Sequence, residues 1–223
     1  MSDGSRISHD DVVSWLTLAA ERFHDQKAYL TELDSAIGDA DHGINMDRGF
    51  QAVLGVLPTL PQDDVGGLFK GVAMKLISTV GGASGPLYGT FFLRFATATG
   101  GKPDLDIADF AAGFEAGITG VQDRGKAEPG DKTMLDALLP ARDALREAID
   151  RGDAPADALA AAVAAAAQGM EATIPLVARK GRASYLGERS AGHQDPGATS
   201  SHLLLNAAAD TFFKAQAPSQ GSR

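Results

Sequence analysis

Three aspartates lie within eight residues of one another in the first quarter of the chain: Asp34, Asp39 and Asp41. Carboxylates this close repel each other unless a cation lies between them. Carboxylate oxygens are the ligands that Mg²⁺ and Ca²⁺ prefer. Gly38 and Gly43 interrupt the same stretch, where they let the backbone approach a ligand. The stretch therefore predicts a divalent cation site, and a helix cap with solvated carboxylates is the alternative.

Several common sites fit the sequence poorly. The run Gly120–Ala127 matches the first part of a P-loop but ends in alanine, which has no hydroxyl for Mg²⁺. An EF-hand beginning at Asp39 would have Ile44 at its glycine position and Phe50 at its glutamate position. The chain has no cysteine, and its five histidines lack the spacing of a zinc site. Phosphate chemistry through Mg²⁺ is the interpretation that remains.

Other residues bear on phosphate binding or on alternatives to it. Residues 82–84 precede an apolar helix whose N–H groups can bind an anion, although a plain helix–helix turn explains them equally well. Arg182 would ordinarily be a surface cation, but it lies in a glycine-bounded loop, where a guanidinium can clamp phosphate. Lys132 is expected at the surface, and residues 195–197 are expected to form a turn. A histidine nucleophile, His42 or His193, also stays open.

Composition is that of an ordinary soluble domain, with 44% hydrophobic and 22% charged residues. We expect one domain over residues 1–217 and a disordered tail at 218–223. A net charge of −9 argues against nucleic acid as a partner. Because we find neither an apolar stretch long enough to span a membrane nor a signal segment, we expect a cytoplasmic protein.

Helical periodicity predicts an all-α fold, a bundle or barrel of about eight antiparallel helices. Only a turn of helix is expected over Tyr29–Leu33, just before the first aspartate. The longer helices are expected over Ser8–Phe23, Met46–Leu57, Thr133–Ile149, Ala156–Val177 and Ser200–Ala215. Strands are not expected, because no run alternates apolar and polar residues. In an up-and-down bundle alternate loops share one end, where the glycine-rich motifs can gather.

Four segments together resemble one family, the L subunit of dihydroxyacetone kinase, which holds the nucleotide. They are Leu33–Phe50, Gly81–Phe92, Arg124–Met134 and Arg179–Thr199. The resemblance spans most of the chain. It implies a barrel of eight antiparallel helices, with ADP or ATP and two Mg²⁺ ions bound in the loops at one end.

The resemblance also implies the residues of this site. Asp34, Asp39 and Asp41 would ligate both metal ions. Residues from all four segments would contact the nucleotide: His42, Gly43, Ile44, Asn45, Ala83, Ser84, Gly125, Met134, Arg182, Asp195, Pro196 and Gly197. No catalytic residue is assigned beyond these metal and phosphate ligands.

In the phosphotransferase-system form of the family, the nucleotide stays bound as a coenzyme. The resemblance implies that a phosphohistidine partner, the M subunit, rephosphorylates ADP, and that the γ-phosphoryl group then passes to dihydroxyacetone held on the K subunit. The phosphoryl donor would ultimately be phosphoenolpyruvate. Two alternatives remain: an ATP-exchanging subunit of an ATP-dependent ketose kinase, and a nucleotide sensor that docks on a transcriptional regulator.

Overall fold

The computed structural model describes residues 6–213. Within this range the chain forms nine α-helices, and short 3-10 segments cover Leu57–Thr59 and Arg182–Ser190. The helices are α1 (His9–Asp25), α2 (Lys27–Ile37), α3 (His42–Val56), α4 (Val65–Thr79), α5 (Ser84–Thr99), α6 (Ile107–Gly125), α7 (Leu135–Arg151), α8 (Pro155–Ala172) and α9 (Pro196–Ala209). The predicted all-α fold is confirmed. The tail expected at 218–223 lies outside the described residues.

Two very short strands are the exception to the all-α prediction. Strand β1 (Ile7–Ser8) pairs antiparallel with β2 (Asp104–Leu105), and Ile7 lies opposite Leu105. Strands of two residues are too short to produce an alternating pattern, so the sequence gives no sign of them. Their pairing fixes the chain at the start of α1.

Helix α2 is longer than the single turn expected from the sequence. It buries Leu30, Asp34 and Ile37 on one face. A carboxylate in the middle of the buried stripe interrupts the apolar pattern, so the pattern does not indicate the full length of this helix.

The predicted last turn of α8 is also wrong, since the helix ends at Ala172. Proline at position 175 disfavours helical backbone at the residue before it.

Helices α4, α5 and α6 pack as antiparallel neighbours, and glycines set their separation. A Cβ added at Gly113 would lie 2.5 Å from the ring of Phe95, and one at Gly117 would lie 2.6 Å from the ring of Phe91. Residue numbers therefore rise along α6 as they fall along α5, which is the antiparallel arrangement. These α6 glycines therefore permit close helix packing.

The core centres on Trp15 of α1. Its ring lies 5.4 to 6.1 Å from the rings of Phe69, Phe92, Phe110 and Phe212. Its indole N–H donates to the main-chain oxygen of Leu204 in α9 at 2.8 Å, which satisfies a buried donor. The largest cluster of buried apolar side chains takes residues from each α-helix of the described range. In residues 6–213, no helix is both apolar and long enough to cross a membrane.

Candidate metal and phosphate site

A cavity of about 430 Å³ opens at the end of the bundle where four helices begin. The first residues of α3, α5, α7 and α9 all line it: His42, Ser84, Leu135 and Pro196. The N–H groups of a first helical turn have no partner within the helix, and they carry a partial positive charge. Four helix starts that face one space make it favourable for a polyanion such as a nucleoside diphosphate.

Most of the predicted site residues meet at this cavity. Its lining includes Asp34, Asp39, Asp41, His42, Ala83, Ser84, Gly125, Met134, Arg182, Asp195, Pro196 and Gly197. These residues come from segments far apart in the sequence. The structure therefore brings together the motifs that the sequence shows separately.

The three other predicted residues lie in the first turn of α3, outside the cavity lining. A Cβ at Gly43 would overlap the main-chain oxygen of Lys27, so this glycine lets α3 approach α2. Ile44 is 46% exposed on the outer surface. The side-chain oxygen of Asn45 accepts a hydrogen bond from Arg48 at 2.7 Å. Any contact of Gly43 or Ile44 with an anion in the cavity would therefore use their main-chain N–H groups.

The aspartates converge at the mouth of the cavity. One carboxylate oxygen from each of Asp34, Asp39 and Asp41 lies within 4.8 Å of the others. Asp34 is 9% exposed, near the end of α2, and the other two precede α3. A set of three carboxylates fits a hard cation such as Mg²⁺ or Ca²⁺ and does not fit a metal that prefers nitrogen or sulfur.

Local backbone geometry orients Asp34. Its Oδ2 atom accepts the main-chain N–H groups of Asp41 at 2.9 Å and of His42 at 3.1 Å. Ala40 adopts a φ of 61°, and this left-handed residue turns the chain back between α2 and α3. A Cβ at Gly38 would overlap Oδ1 of Asp34, so only glycine leaves that oxygen its space.

Arg182 lies beside the same cluster. Its Nε atom is 2.8 Å from Oδ2 of Asp39, and the two side chains are 67% and 36% exposed. An ion pair this exposed adds little to stability. The guanidinium is thus placed next to the metal ligands, where it can also reach a phosphate at the cavity mouth.

His42 links three helix starts below the carboxylates. Its Nε2 atom lies 2.9 Å from Oγ of Ser200, and its Nδ1 atom lies 3.1 Å from Oγ of Ser84. Burial lowers the pKa of this histidine, which favours the neutral ring, and the carboxylates of Asp34 and Asp41 oppose the shift. With both ring nitrogens hydrogen-bonded, His42 fits a structural link better than a nucleophile.

His193, the other histidine candidate, is exposed and lies outside the cavity lining.

The hydroxyl of the buried Tyr88 lies 2.7 Å from Oγ of Ser200, and burial raises the pKa of Tyr88 to about 12. Tyr88 is therefore a neutral member of a polar network that joins α5 to α9.

Two residues are misassigned by the sequence. Lys132 is not at the surface, since it is 1% exposed and its ammonium group donates to main-chain oxygens. Asp195 is a helix cap rather than part of a turn, and its carboxylate accepts the N–H of Ala198 at 2.6 Å at the start of α9. Burial raises the pKa of Asp195 to about 7. The Asp-Pro pair was the available signal, because proline is favoured at the first position of a helix.

The chain is similar to known proteins along most of its length. The DAK2 domain family matches residues 36–210. The ADP-binding subunit DhaL of the PEP-dependent dihydroxyacetone kinase of Escherichia coli (strain K12) is 49% identical over 199 residues, covering 89% of this chain and 95% of that protein. The ADP-binding subunit DhaL of the PTS-dependent dihydroxyacetone kinase of Lactococcus lactis is 43% identical over 199 residues, covering 89% and 95%.

A solved structure extends the similarity to the fold. The dihydroxyacetone kinase of C. freundii, in complex with AMP-PNP and Mg²⁺, aligns with a TM-score of 0.67 and 27% identity. The alignment covers 89% of this chain and 33% of that one, so the chain spans about a third of the length of that kinase. The resemblance found in the four sequence motifs is confirmed: the chain belongs to the DAK2 domain family, together with the DhaL subunits of dihydroxyacetone kinase.

Proposed function

We propose that this chain is the ADP-binding subunit of a phosphoenolpyruvate-dependent dihydroxyacetone kinase. The observation that carries the proposal is the convergence of three aspartates on a cavity where four helices begin. Helix N-termini and carboxylate-bound cations are two complementary means of binding a diphosphate. Relatives of nearly the same length are named as ADP-binding subunits of such kinases.

In this proposal different residues of the cavity bind different parts of the nucleotide. Asp34, Asp39 and Asp41 would hold two Mg²⁺ ions, which supply charge neutralisation to the phosphates when bound. The first turn of α5, at Ser84, would donate N–H groups to phosphate oxygens. The apolar part of the wall, which includes Leu87 and Val121, would cover the base.

The chain would act by positioning and charge neutralisation, because phosphoryl transfer requires little covalent chemistry from the protein. Arg182 at the mouth would bind the phosphoryl group that is transferred. A phosphohistidine M subunit would rephosphorylate ADP, and a K subunit would present dihydroxyacetone. Donor and acceptor would both reach the open mouth of the cavity, where Asp39 and Arg182 are exposed.

Two measurements on the full chain test this function. Desalted protein is denatured, and the released nucleotide and metal are quantified by mass spectrometry and metal analysis. The chain is then assayed with K and M partners and phosphoenolpyruvate. We expect retained ADP with Mg²⁺, and flux that needs all three proteins and is lost in Asp34→Ala but kept in Asp150→Ala, a change at an exposed residue of α7.

Other outcomes contradict the proposal in distinct ways. Free exchange of the nucleotide, with multiple turnovers supported by ATP and the K partner alone, would identify an ATP-dependent ketose kinase subunit. Normal phosphoryl flux in the Asp34→Ala variant would show that the proposed metal site is not needed for the reaction.

A further inference from the structure

We infer that Lys132 is a positioning residue for the cavity: its buried ammonium group ties together three chain segments that form one wall of it. The segments are the loop before α7, the loop after α8, and the start of α9. The inference rests on the proposed function only in taking ADP as the ligand. It concerns a residue whose side chain performs no step of the proposed phosphoryl transfer.

The ammonium group of Lys132 makes three hydrogen bonds to one loop. Nζ donates to the main-chain oxygens of Thr173 at 2.9 Å, of Leu176 at 3.0 Å and of Ile174 at 3.3 Å. An ammonium group has three donors and no acceptor, so this set satisfies it. The carbonyls directly follow the C-terminus of α8, where a positive charge is favourable.

The same contacts reach α9 through Thr173. While the oxygen of Thr173 accepts from Lys132, its hydroxyl accepts the main-chain N–H of Asp195 at 3.0 Å. Asp195 in turn caps α9, whose first residues Pro196 and Gly197 line the cavity. Lys132 therefore fixes the helix start that faces the ligand, two hydrogen bonds away.

A second connection runs toward Arg182. The main-chain N–H of Arg179 donates to the oxygen of Asp131, the residue before Lys132, at 3.0 Å. Residues 180–183 then line the cavity. The main chain around Lys132 is itself constrained, since Lys132 has a φ of 62° and the N–H of Thr133 donates to Asp136 at 2.8 Å. The side chain of Lys132 and the main chain beside it thus both connect the loop before α7 to the loop after α8.

The chemistry of the site selects lysine. Arginine carries a planar fork of donors, which cannot point at three carbonyls gathered around one atom. Methionine has similar length but leaves three main-chain acceptors, at least one of them buried, without this partner. Glutamine offers two donors and is intermediate. The order of function expected is therefore lysine, then glutamine, then methionine, with arginine failing to rescue despite its charge.

A positioning role and a direct phosphate contact predict different ligand dependence. If Lys132 only orders the loops of the cavity, its loss lowers the affinities for AMP and ADP by the same factor, because both ligands need the ordered loops. If the ammonium group binds the β-phosphate, the affinity for ADP falls more than the affinity for AMP. The comparison of the two ligands therefore separates a positioning role from a contact with the β-phosphate.

The test is calorimetry of ADP and of AMP, each with Mg²⁺, on the full chain stripped of nucleotide. We expect Lys132→Met to lower the affinity for both ligands equally, on the order of tenfold, and Lys132→Gln to lower both affinities by less. Lys70→Met removes an exposed lysine of α4 as a control. Leu145→Ala truncates a buried side chain of α7 that does not line the cavity. We expect this variant to have a lower melting temperature and unchanged affinity, so that it separates lost stability from lost binding.

Each outcome has a separate meaning. Wild-type affinity for both ligands in Lys132→Met, or full rescue by Lys132→Arg, overturns the inference, as does a loss confined to ADP. Should Lys132→Met not fold, wild-type affinity in Lys132→Gln overturns it equally. Failure of the wild-type chain to bind ADP refutes the proposed function instead, and this distinguishes the two claims.

Discussion

Oδ2 of Asp34 accepts the main-chain N–H of His42 at 3.1 Å, and His42 is the first residue of α3. This contact joins a candidate metal ligand to the positive end of a helix. The carboxylate is held in one orientation by the fold itself, together with the N–H of Asp41. Asp34 is therefore preorganised, so a bound cation does not need to order this carboxylate.

Substitution of Gly43 is expected to act on packing. In Gly43→Ala the new Cβ would meet the main chain of Lys27, so α3 and α2 must separate, which costs about 1–3 kcal/mol of unfolding free energy. Gly55→Ala, in the same helix with nothing within 4 Å of the new atom, should instead stabilise by about 0.5–1 kcal/mol. Urea unfolding of both variants checks this. Equal stabilities would show that α2 and α3 are not in close contact.

Arg182 is expected to matter for ligand binding and little for stability. Because its side chain is 67% exposed, Arg182→Gln should change the unfolding free energy by less than about 1 kcal/mol. Loss of a charge-assisted contact to phosphate should lower the affinity for ADP by roughly tenfold or more. Arg189→Gln, an exposed position in the same segment outside the cavity lining, is the control. Calorimetry that finds equal ADP affinity in the two variants would contradict a phosphate clamp.

Asp195 is expected to give the stability a particular pH dependence. Burial raises its pKa in the folded chain to about 7, above the value near 4 of an unfolded aspartate. The folded state then binds the proton more tightly, so this contribution is complete below pH ~4 and is lost as the pH rises to ~7.

Asparagine keeps the cap but cannot ionise. Relative to the wild type, Asp195→Asn should therefore gain stability between pH 5 and pH 8, by at most roughly 1.4 kcal/mol per pH unit. Urea unfolding of nucleotide-free protein in EDTA measures the difference, with exposed Asp150→Asn as the control. A constant difference between Asp195→Asn and the wild type would place the pKa of Asp195 at its ordinary value.

Features encoded by local patterns could be predicted from the sequence. Ser8 and Asp11 form a capping box at the start of α1, and Asp106 caps α6, which are both short motifs that can be identified in the sequence. The convergence of the aspartates also follows from their spacing, since eight residues and one reversal of the chain bring them together.

Other features depend on contacts distant in the sequence. The burial of Lys132 follows from carbonyls about forty residues further along the chain, at the end of α8, and a loop residue carries no periodic pattern that would indicate it. The fine geometry of Arg182 beside Asp39 is likewise set by the fold. The cap role of Asp195 combines a local signal with burial that only the packed α9 provides.

We propose that Asp34, Asp39 and Asp41 hold the cations through which the chain binds ADP. Titration calorimetry of ADP into nucleotide-free full chain, with Mg²⁺ or with EDTA, tests it in the wild type, Asp34→Asn and the control Asp150→Asn. We predict that Mg²⁺ tightens ADP binding by at least about tenfold in the wild type and the control, and that Asp34→Asn loses this dependence. Equal affinity in Mg²⁺ and EDTA for the wild type, or an unchanged Mg²⁺ dependence in Asp34→Asn, would show that these aspartates do not hold a cation needed for ADP binding.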